Sequence, residues 1–409
     1  MIRAYRFRIY PTAVQVQKLE QWFPLCCMLY NACLQQRKDA WRMLKRSDIT
    51  KFSQTKELPG LRKECPEFAA VPAQVLQNVC GRVERAISLF FLRRSRGETA
   101  GYPRFRPRTR YTSVTFPHLE PRAVADDGVR LYKLGKVKWK AWKTGAARGK
   151  AKNVTVMRTA VGWYATVTCE VPDQPPLPRT GKVVGVDLGV TNLVVTSDGV
   201  VHGSIAGLKV RERALARVQS AYDRSHDGSG RKNTRRLQLA KHHARLAAAR
   251  KAQLDVLSRQ LIDQYDVIGI EDLDVEEMQR KRRRNDKLVG IRGRGLRRNL
   301  KHASHGALIR ILTYKAEEAG RELIKVDPRG TSQECSTCGE VVRKTLRDRR
   351  HHCPHCGLDL DRDHNAAINV LKRALSARRG EAELTRLDEL QSCDTADMVK
   401  GNGFFAEVT

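Results

Sequence analysis

Four cysteines near the end of the chain limit most strongly what it can fold into. They form two Cys-x-x-Cys pairs separated by fourteen residues: Cys335, Cys338, Cys353 and Cys356. A glycine follows each pair, Gly339 and Gly357, where a metal-binding turn needs a positive φ. Four thiolates complete a tetrahedral Zn²⁺ site, although this gap is one residue shorter than the usual range. The pattern predicts a zinc ribbon with one structural zinc and no open position for catalysis.

The other histidines and cysteines of interest are interpreted as residues without a metal or disulfide role. Three histidines inside the ribbon are expected at the surface, because four thiolates already fill the site: His351, His352 and His355. A redox or disulfide role for the pairs is the alternative. The remaining seven cysteines have no regular spacing, which favours buried or free thiols in a cytoplasmic protein.

The charge of the chain predicts a polyanionic partner. Its 77 Lys and Arg against 44 Asp and Glu give a formal net charge of +33. Such a charge costs self-repulsion, and nucleic acid is the usual partner that offsets it. The alternative is a solvated basic surface. There is no apolar run long enough to span a membrane, and the first residues lack the apolar core of a secretion signal.

Hydrophobic periodicity divides the chain into three regions. Alternation in "YRFRIY" predicts a strand, and Thr12 with Gln15 forms a capping box that opens a helical block reaching about Arg94. Short alternating segments over 101–171 indicate an antiparallel β region, interpreted as a small barrel. The proline-rich stretch 171–180 marks a domain boundary, and strands alternating with helices after it predict an α/β domain.

Three acids each end an apolar run or directly precede a helix. Asp187 ends "KVVGVD", Glu271 ends "VIGIE" and Asp363 precedes "HNAAINVL". Carboxylates held by rigid elements suit two Mg²⁺ ions about 4 Å apart, which clamp the attacking water and leaving oxygen of a phosphodiester. Such acids also cap helices and form turns. That structural interpretation is given to four others: Asp198, Asp266, Asp272 and Asp274.

The order of the motifs points to a known family. "GVDLGV", "GIEDL", "TSQECSTCG", "CPHCG" and "DRDHNAAINV" follow one another, with "YRFRIYPT" and "GYPRFR" in the first half. The chain resembles, over about residues 1–378, the TnpB family of transposon-encoded, RNA-guided nucleases, which are relatives of the type V CRISPR effectors. The resemblance assigns catalysis and Mg²⁺ binding to Asp187, Glu271 and Asp363. Asp363 is preferred to Asp361 because it stands two residues before Asn365.

The resemblance also implies a multidomain α+β and α/β fold. An N-terminal wedge-type β-barrel carries an inserted helical recognition lobe, and a RuvC-like nuclease domain of RNase H fold is split by helices and the zinc ribbon. The expected ranges are barrel 1–11 and 96–172, lobe 12–95, linker 173–180, nuclease 181–330 and 358–378, ribbon 331–357, and an acidic, disordered tail 379–409.

The function implied is DNA cleavage next to a short motif, directed by a guide RNA from the transposon end, on target double-stranded DNA in the cytoplasm and nucleoid. Phosphate contacts are expected from a basic loop and a glycine-arginine loop: Arg104, Arg106, Arg282, Arg283, Arg284, Arg292 and Arg294. Amides suited to adenine occur on one predicted helix: Gln74, Gln77 and Asn78. Solvated charges and a polar helix face are the alternatives.

Other functions predict different sequences. A nuclease-inactive, RNA-guided repressor predicts loss of one of the three acids, and all three are present. A transposase, or a transposase accessory protein, competes as well, but cut-and-paste transposases usually order their acids Asp, Asp, Glu. A junction resolvase shares the nuclease fold and needs neither the N-terminal half nor the ribbon. The nuclease interpretation is therefore preferred.

Overall fold

The structure is a computed structural model that describes residues 1–44, 49–139, 149–173, 175–189, 192–203, 207–273, 304–345 and 348–399. It contains two compact units, Met1–Asp173 and Gln174–Thr409. Each unit has its own buried apolar cluster. Within the described ranges, none of the helices combines the length and apolar character needed to cross a membrane.

The first unit begins with a strand and a helical block and ends in a β region. The helices are α1 (Ala13–Leu44), α2 (Lys51–Glu64), α3 (Glu67–Ala70) and α4 (Ala73–Ser95), followed by a 3₁₀ turn at Arg108–Arg110. The strands are β1 (Ile2–Tyr10), β2 (Ser113–Phe116), β3 (Val124–Ala125), β4 (Gly128–Leu131), β5 (Gly135–Trp139), β6 (Lys150–Thr159) and β7 (Gly162–Glu170). The predicted capping box opens α1: the Thr12 amide donates to Gln15 Oε1 at 3.0 Å, and the Gln15 amide donates to Thr12 Oγ1 at 3.3 Å.

Strand β1 lies inside the sheet although it comes first in the chain. The described strands form a seven-stranded sheet in the order β2-β6-β7-β1-β5-β4-β3. Ile2 pairs with Glu170 on one side of β1, and Ile9 pairs with Trp139 on the other. The helical block lies in sequence between β1 and β2, two strands of this sheet that do not pair with each other. In the described residues β2 and β3 are the outer strands, so closure of this sheet into a barrel stays a prediction.

One buried apolar cluster contains residues of both the helical block and the sheet. Leu19 and Trp22 of α1 and Val79 of α4 belong to the same buried cluster as the sheet residue Val167. Five cysteines of this unit are buried and free, as predicted for irregularly spaced thiols: Cys26, Cys27, Cys33, Cys80 and Cys169. Burying these small apolar side chains removes nonpolar surface from water and stabilises the unit.

The second unit is α/β, as the alternation of strands and helices predicted. Its strands are β8 (Val183–Asp187), β9 (Asn192–Thr196), β10 (Val201–Gly203), β11 (Val267–Glu271), β12 (Glu322–Val326), β13 (Arg350–His352) and β14 (Asp359–Asp361). Its helices are α5 (Leu208–Asp223), α6 (Gly230–Gln264), α7 (His305–Ala319) and α8 (Arg362–Val399). The described main sheet has the order β10-β9-β8-β11-β12, in which β8, β11 and β12 are parallel and β9 and β10 are antiparallel.

Helix α8 packs directly on β8 and β11 because both strands carry a glycine beneath it. A Cβ atom on Gly185 would lie 2.1 Å from the carbonyl oxygen of Ala367, and one on Gly269 would lie 2.7 Å from Ala374 Cβ. Such distances leave no space for any side chain. The close contact fixes the first turn of α8 beside the ends of the two strands.

The C-terminal segment differs from its prediction. The last helix was expected to end near Arg378, with a disordered tail over 379–409, whereas α8 continues to Val399. The added stretch "RGEAELTRLDELQSCDTADMV" is rich in Ala, Leu, Glu and Arg, which favour helix, and that intrinsic preference outweighs its low hydrophobicity. Residues 400–409 lie outside the described ranges.

Candidate active site

The three acids come from three elements that meet at one edge of the second sheet. Asp187 ends β8 and Glu271 ends β11, and these strands are parallel, with Val186 opposite Ile270. Because parallel strands end at the same edge of a sheet, the two carboxylates lie on neighbouring strands at that edge. Asp363 lies in the first turn of α8. Glu271 and Asp363 are 7% and 8% exposed.

The acids influence one another electrostatically. Burial raises the pKa of Asp187 to about 8, and the negative charges of Glu271 and Asp363 contribute to that increase, while Arg362 opposes it. Burial also raises the pKa of Glu271, against a hydrogen bond from Thr331 and the charge of Arg373. Two neighbouring, desolvated carboxylates with raised pKa values, here Asp187 and Glu271, are typical of a cation-binding or catalytic site.

Arginines contact the third acid. Arg362 donates from Nε and Nη2 to Asp363 Oδ1 at 3.2 and 3.1 Å, and Arg349 Nη1 lies 3.8 Å from Asp363 Oδ2. Among the described residues, the four cysteines bring their sulfurs within 4.8 Å of one another, whereas the three carboxylates do not bring one oxygen each that close. The donor set still fits Mg²⁺, which prefers a few carboxylate oxygens and keeps several water ligands.

Asp361 has a different position from Asp363. Its Oδ1 accepts hydrogen bonds from the backbone amides of Asp363 and His364 at 2.9 and 3.2 Å. These are amides of the first turn of α8, so Asp361 caps that helix. The negative charge of Asp363 raises the pKa of Asp187 more than that of Asp361 does. The choice of Asp363 as the third catalytic acid stays a prediction.

The other acids make structural contacts, in line with the interpretation given to them. Asp198 accepts from Thr196 Oγ1 and Tyr265 Oη, and Asp266 pairs with the buried side chain of Arg321. Asp272 lies 3.7 Å from Lys325 Nζ. Asp274 lies outside the described residues.

The four cysteines form a compact cluster. All four sulfurs lie within 4.8 Å of one another, with Cys335 Sγ 3.5 Å from Cys356 Sγ and Cys338 Sγ 3.6 Å from Cys353 Sγ. Sulfurs around a tetrahedral Zn²⁺ with bonds of about 2.3 Å are separated by about 3.8 Å. The glycines after the pairs have φ values of 80° at Gly339 and 73° at Gly357, as predicted. The cluster therefore fits a structural zinc ion.

One histidine of the ribbon is not at the surface. His351 is 0% exposed, and its Nδ1 contacts Lys344 Nζ, so the prediction of an exposed side chain was wrong there. The reason is the pairing of β13 with β14, in which alternate side chains point to opposite faces. His352 and His355 are exposed, as predicted.

The predicted nucleic-acid contacts fall in different environments. Arg104 and Arg106 are exposed, and the backbone of Arg106 is held by Asn31 of α1, whose side chain bonds its amide and carbonyl at 2.9 Å. On α4, Gln77 is exposed, whereas two neighbours already have intramolecular partners: Gln74 accepts from His118 N and Asn78 accepts from Arg82 Nε. The glycine-arginine loop lies outside the described residues: Arg282, Arg283, Arg284, Arg292 and Arg294.

Sequence patterns did not identify two residues beside the acids. Thr331 donates its hydroxyl to Glu271 Oε1 at 2.6 Å. His305, at the start of α7, is 2% exposed and its Nε2 lies 2.9 Å from the carbonyl oxygen of Gly189, just after Asp187. Neither belongs to a periodic pattern, and the sole signal was the position of Thr331 at the start of "TSQECSTCG".

Three family models match three separate parts of the chain. A helix-turn-helix domain of the OrfB/IS605 type matches residues 1–46, a probable transposase of the same type matches 166–282, and a Cas12f1-like TNB domain matches 305–370. The described part of the first segment, residues 1–44, consists of β1 and the single helix α1.

Relatives cover nearly the whole chain. A putative RNA-guided DNA endonuclease of Streptomyces pristinaespiralis is 31% identical over 92% of this chain and 90% of its own length. The putative RNA-guided DNA endonuclease InsQ of Escherichia coli K12 is 25% identical over 90% and 92%. The chain belongs to the TnpB family, as its motifs predicted.

The fold is similar to that of a protein solved in complex with RNA and DNA. The protein in the cryo-EM structure of a Cas12f1–sgRNA–target DNA complex aligns with a TM-score of 0.53 and 13% sequence identity. The alignment covers 90% of this chain and 98% of that chain. At this identity the similarity concerns the fold alone.

Proposed function

We propose that the protein is an RNA-guided DNA endonuclease that hydrolyses phosphodiester bonds in target DNA. The observation that carries the proposal is the gathering of Asp187, Glu271 and Asp363 at one sheet edge. Burial there raises the pKa of Asp187 to about 8, and the charges of Glu271 and Asp363 add to that increase. Relatives over nine-tenths of the chain are named as putative enzymes of this kind.

The second unit is proposed to be a RuvC-like domain of RNase H fold. The support is its strand order: three consecutive antiparallel strands, β8 to β10, followed by β11 and β12 parallel to β8. The ribbon lies in sequence between β12 and α8, so the insertion separates the first two acids from the third. The seven-stranded sheet and helical block of the first unit are proposed to be the wedge-type barrel and its recognition lobe.

Two Mg²⁺ ions are proposed to bind the three carboxylates. When bound, Mg²⁺ supplies Lewis-acid stabilisation of the developing charge and a water nucleophile at neutral pH. The chain contributes the oxygen ligands and their orientation: β8 and β11 hold Asp187 and Glu271, and the close packing of α8 on Gly185 holds Asp363. One zinc ion is proposed to be held by the cysteine cluster, in a structural role.

The proposed partners are a guide RNA transcribed from the end of the transposon and target double-stranded DNA beside a short motif, in the cytoplasm and nucleoid. A net charge of +33 suits a long stretch of phosphate backbone. Base pairing with the guide selects the sequence, and the protein grips the heteroduplex by shape and backbone. Exposed Arg104, Arg106 and Gln77 are available for such contacts.

A nuclease-inactive repressor and a transposase accessory protein are the competing proposals. A repressor has no need of three acids that crowd at one edge, where mutual repulsion costs stability. Retention of all three favours catalysis.

The decisive experiment is to purify the protein from its native host and sequence the RNA that co-purifies with it. A single abundant RNA with a constant part from the transposon end and a variable guide part is expected. A mixture of cellular RNAs in proportion to their abundance would reduce the binding to nonspecific attraction by charge.

A further inference from the structure

Thr331 connects the start of the ribbon to an acid of the candidate active site. The residue is 3% exposed, and its hydroxyl lies 2.6 Å from Glu271 Oε1 and 3.0 Å from the carbonyl oxygen of Pro328. A threonine hydroxyl has one proton and donates to one acceptor at a time. The carboxylate is the closer and the stronger acceptor because it carries charge. Thr331 therefore fixes one oxygen of Glu271 and leaves the other free.

Two buried asparagines of α8 hold the backbone of segment 331–336. Asn369 Nδ2 donates to the carbonyl oxygens of Thr331 at 2.9 Å and Glu334 at 2.7 Å. Asn365 Nδ2 donates to Glu334 O at 2.8 Å, and its Oδ1 accepts from the amide of Ser336 at 2.9 Å. The asparagines are 4% and 0% exposed, so withdrawal of segment 331–336 would leave buried amides without partners.

The same segment contains the first zinc ligand. Cys335 lies between the two residues that Asn365 contacts, Glu334 and Ser336, and Asp363 lies in the first turn of the helix that carries both asparagines. Hydrogen bonds thus join Glu271 to Thr331, and join the segment that carries Thr331 and Cys335 to the helix that carries Asp363, all within one unit.

We propose that Thr331 is a positioning residue for Glu271 and that the ribbon, clamped to α8 by Asn365 and Asn369, holds it in place. The inference rests on the proposed nuclease function and extends it, because it makes the zinc ribbon a support for the Mg²⁺ site as well as a stabiliser of the fold. Partners that orient a metal ligand in this way typically change metal affinity by about 10–100-fold when removed.

Three variants of the full-length protein test the hydroxyl. Thr331→Val removes it at nearly constant volume, Thr331→Ser keeps it, and Thr313→Val is a matched control whose exposed hydroxyl bonds a carbonyl of its own helix. Each is purified without chelator and its zinc content is measured. Mn²⁺ binding is then measured by calorimetry, with Asp187→Ala defining binding elsewhere on the chain, and guided cleavage is titrated with Mg²⁺.

We expect Thr331→Val to keep one zinc, to bind Mn²⁺ about tenfold more weakly, and to need about tenfold more Mg²⁺ for half-maximal cleavage. Thr331→Ser and Thr313→Val are expected within threefold of wild type, on the same scale. Equal Mn²⁺ affinity in Thr331→Val and wild type would overturn the inference and leave the nuclease function standing. Wild-type protein with no Asp187-dependent Mn²⁺ binding would overturn the proposed metal site, and the inference with it.

A further variant covers the case in which Thr331→Val loses zinc or fails to fold. Asn369→Ala removes the part of the clamp that holds Thr331 and leaves Asn365, the hydroxyl and every metal ligand intact. We expect weaker Mn²⁺ binding here too, with zinc retained. Unchanged Mn²⁺ affinity in Asn369→Ala, or an equal defect in Thr331→Ser and Thr331→Val, would mean that this region only packs the fold.

Discussion

The backbone of Gly185 in β8 touches the backbone of Ala367 in α8, so closely that a Cβ atom on the glycine would lie 2.1 Å from the alanine carbonyl oxygen. Gly185 stands two residues before Asp187, and Ala367 stands four residues after Asp363. The contact therefore sets how near these two acids can come. Glycine at this position is a requirement of the site as much as of the core.

Replacement of Gly185 by alanine is expected to separate α8 from β8. The clash involves backbone atoms on both sides, which cannot rotate away, so we expect overpacking to cost about 1–3 kcal/mol or more. Cleavage should fall more than stability explains, because Asp363 moves from Asp187. Gly203→Ala is the matched control, since its added Cβ would meet nothing within 4 Å. Thermal unfolding and cleavage rates check this, and a Gly185→Ala protein that melts like Gly203→Ala would contradict it.

Alanine variants distinguish the proposed metal ligands Asp187 and Asp363 from the helix cap Asp361. Asp187→Ala and Asp363→Ala are expected to abolish divalent-metal-dependent DNA cleavage and to leave guide-RNA binding within a few-fold, because they remove metal ligands. Asp361→Ala should lower stability by about 1 kcal/mol through loss of the helix cap and retain cleavage. Cleavage and unfolding are measured on the same preparations. If Asp361→Ala were inactive and Asp363→Ala active, the assignment of the two acids would be reversed.

Several features of the fold and of the site could be predicted because the residues that define them are close together in the sequence. Strands β8 and β11 are short apolar runs that end in an acid, and Thr12 with Gln15 forms the capping box that the sequence predicted. The four cysteines and their glycines also need no long-range information. In each case the residues that define the feature lie within a few positions of one another.

The features that could not be predicted depend on tertiary contacts. Thr331 meets Glu271 across 60 residues, and the burial of His351 follows from the pairing of two three-residue strands. The length of α8 was underestimated because helix propensity was given less weight than low hydrophobicity in the acidic segment. The role of the glycine-arginine loop stays a prediction.

The ribbon is expected to contain one zinc ion per chain. Cys335→Ser or Cys353→Ser should lower zinc content and the melting temperature, because zinc binding in such sites contributes directly to folding. Both cysteines are buried, at 2% and 0% exposure. Cys65→Ser, at a half-buried free thiol in the first unit, is the control. Elemental analysis of protein purified without chelator measures the metal, and wild-type protein free of zinc would refute the prediction.

The raised pKa of Asp187 predicts how stability depends on pH. Its pKa is about 8 in the folded protein, against about 3.9 for an unfolded chain. The folded state therefore binds this proton more tightly, so the contribution to stability is complete below about pH 4 and is lost as pH rises to about 8. In Mg²⁺-free buffer, wild type should lose melting temperature between pH 6 and pH 8 more steeply than Asp187→Asn. Parallel curves for the two proteins would show that Asp187 is already ionised.

The last prediction separates a guided enzyme from a general nuclease. With a net charge of +33, the protein alone should bind most nucleic acids, and this affinity should fall steeply with salt. Binding is therefore no measure of specificity. Cleavage should differ, because the acids act only on a strand delivered to them, and pairing with a guide opens the duplex.

The measurement is cleavage of plasmid DNA in Mg²⁺, with and without an RNA that carries a matching guide. We expect cuts at one site only when guide, target and adjacent motif are all present, and none with Asp187→Ala under the same conditions. An unmatched plasmid of equal length controls for binding by charge. If matched and unmatched plasmids were cut equally with or without RNA, the three acids would belong to a nonspecific nuclease, since delivery of the strand would then need no base pairing.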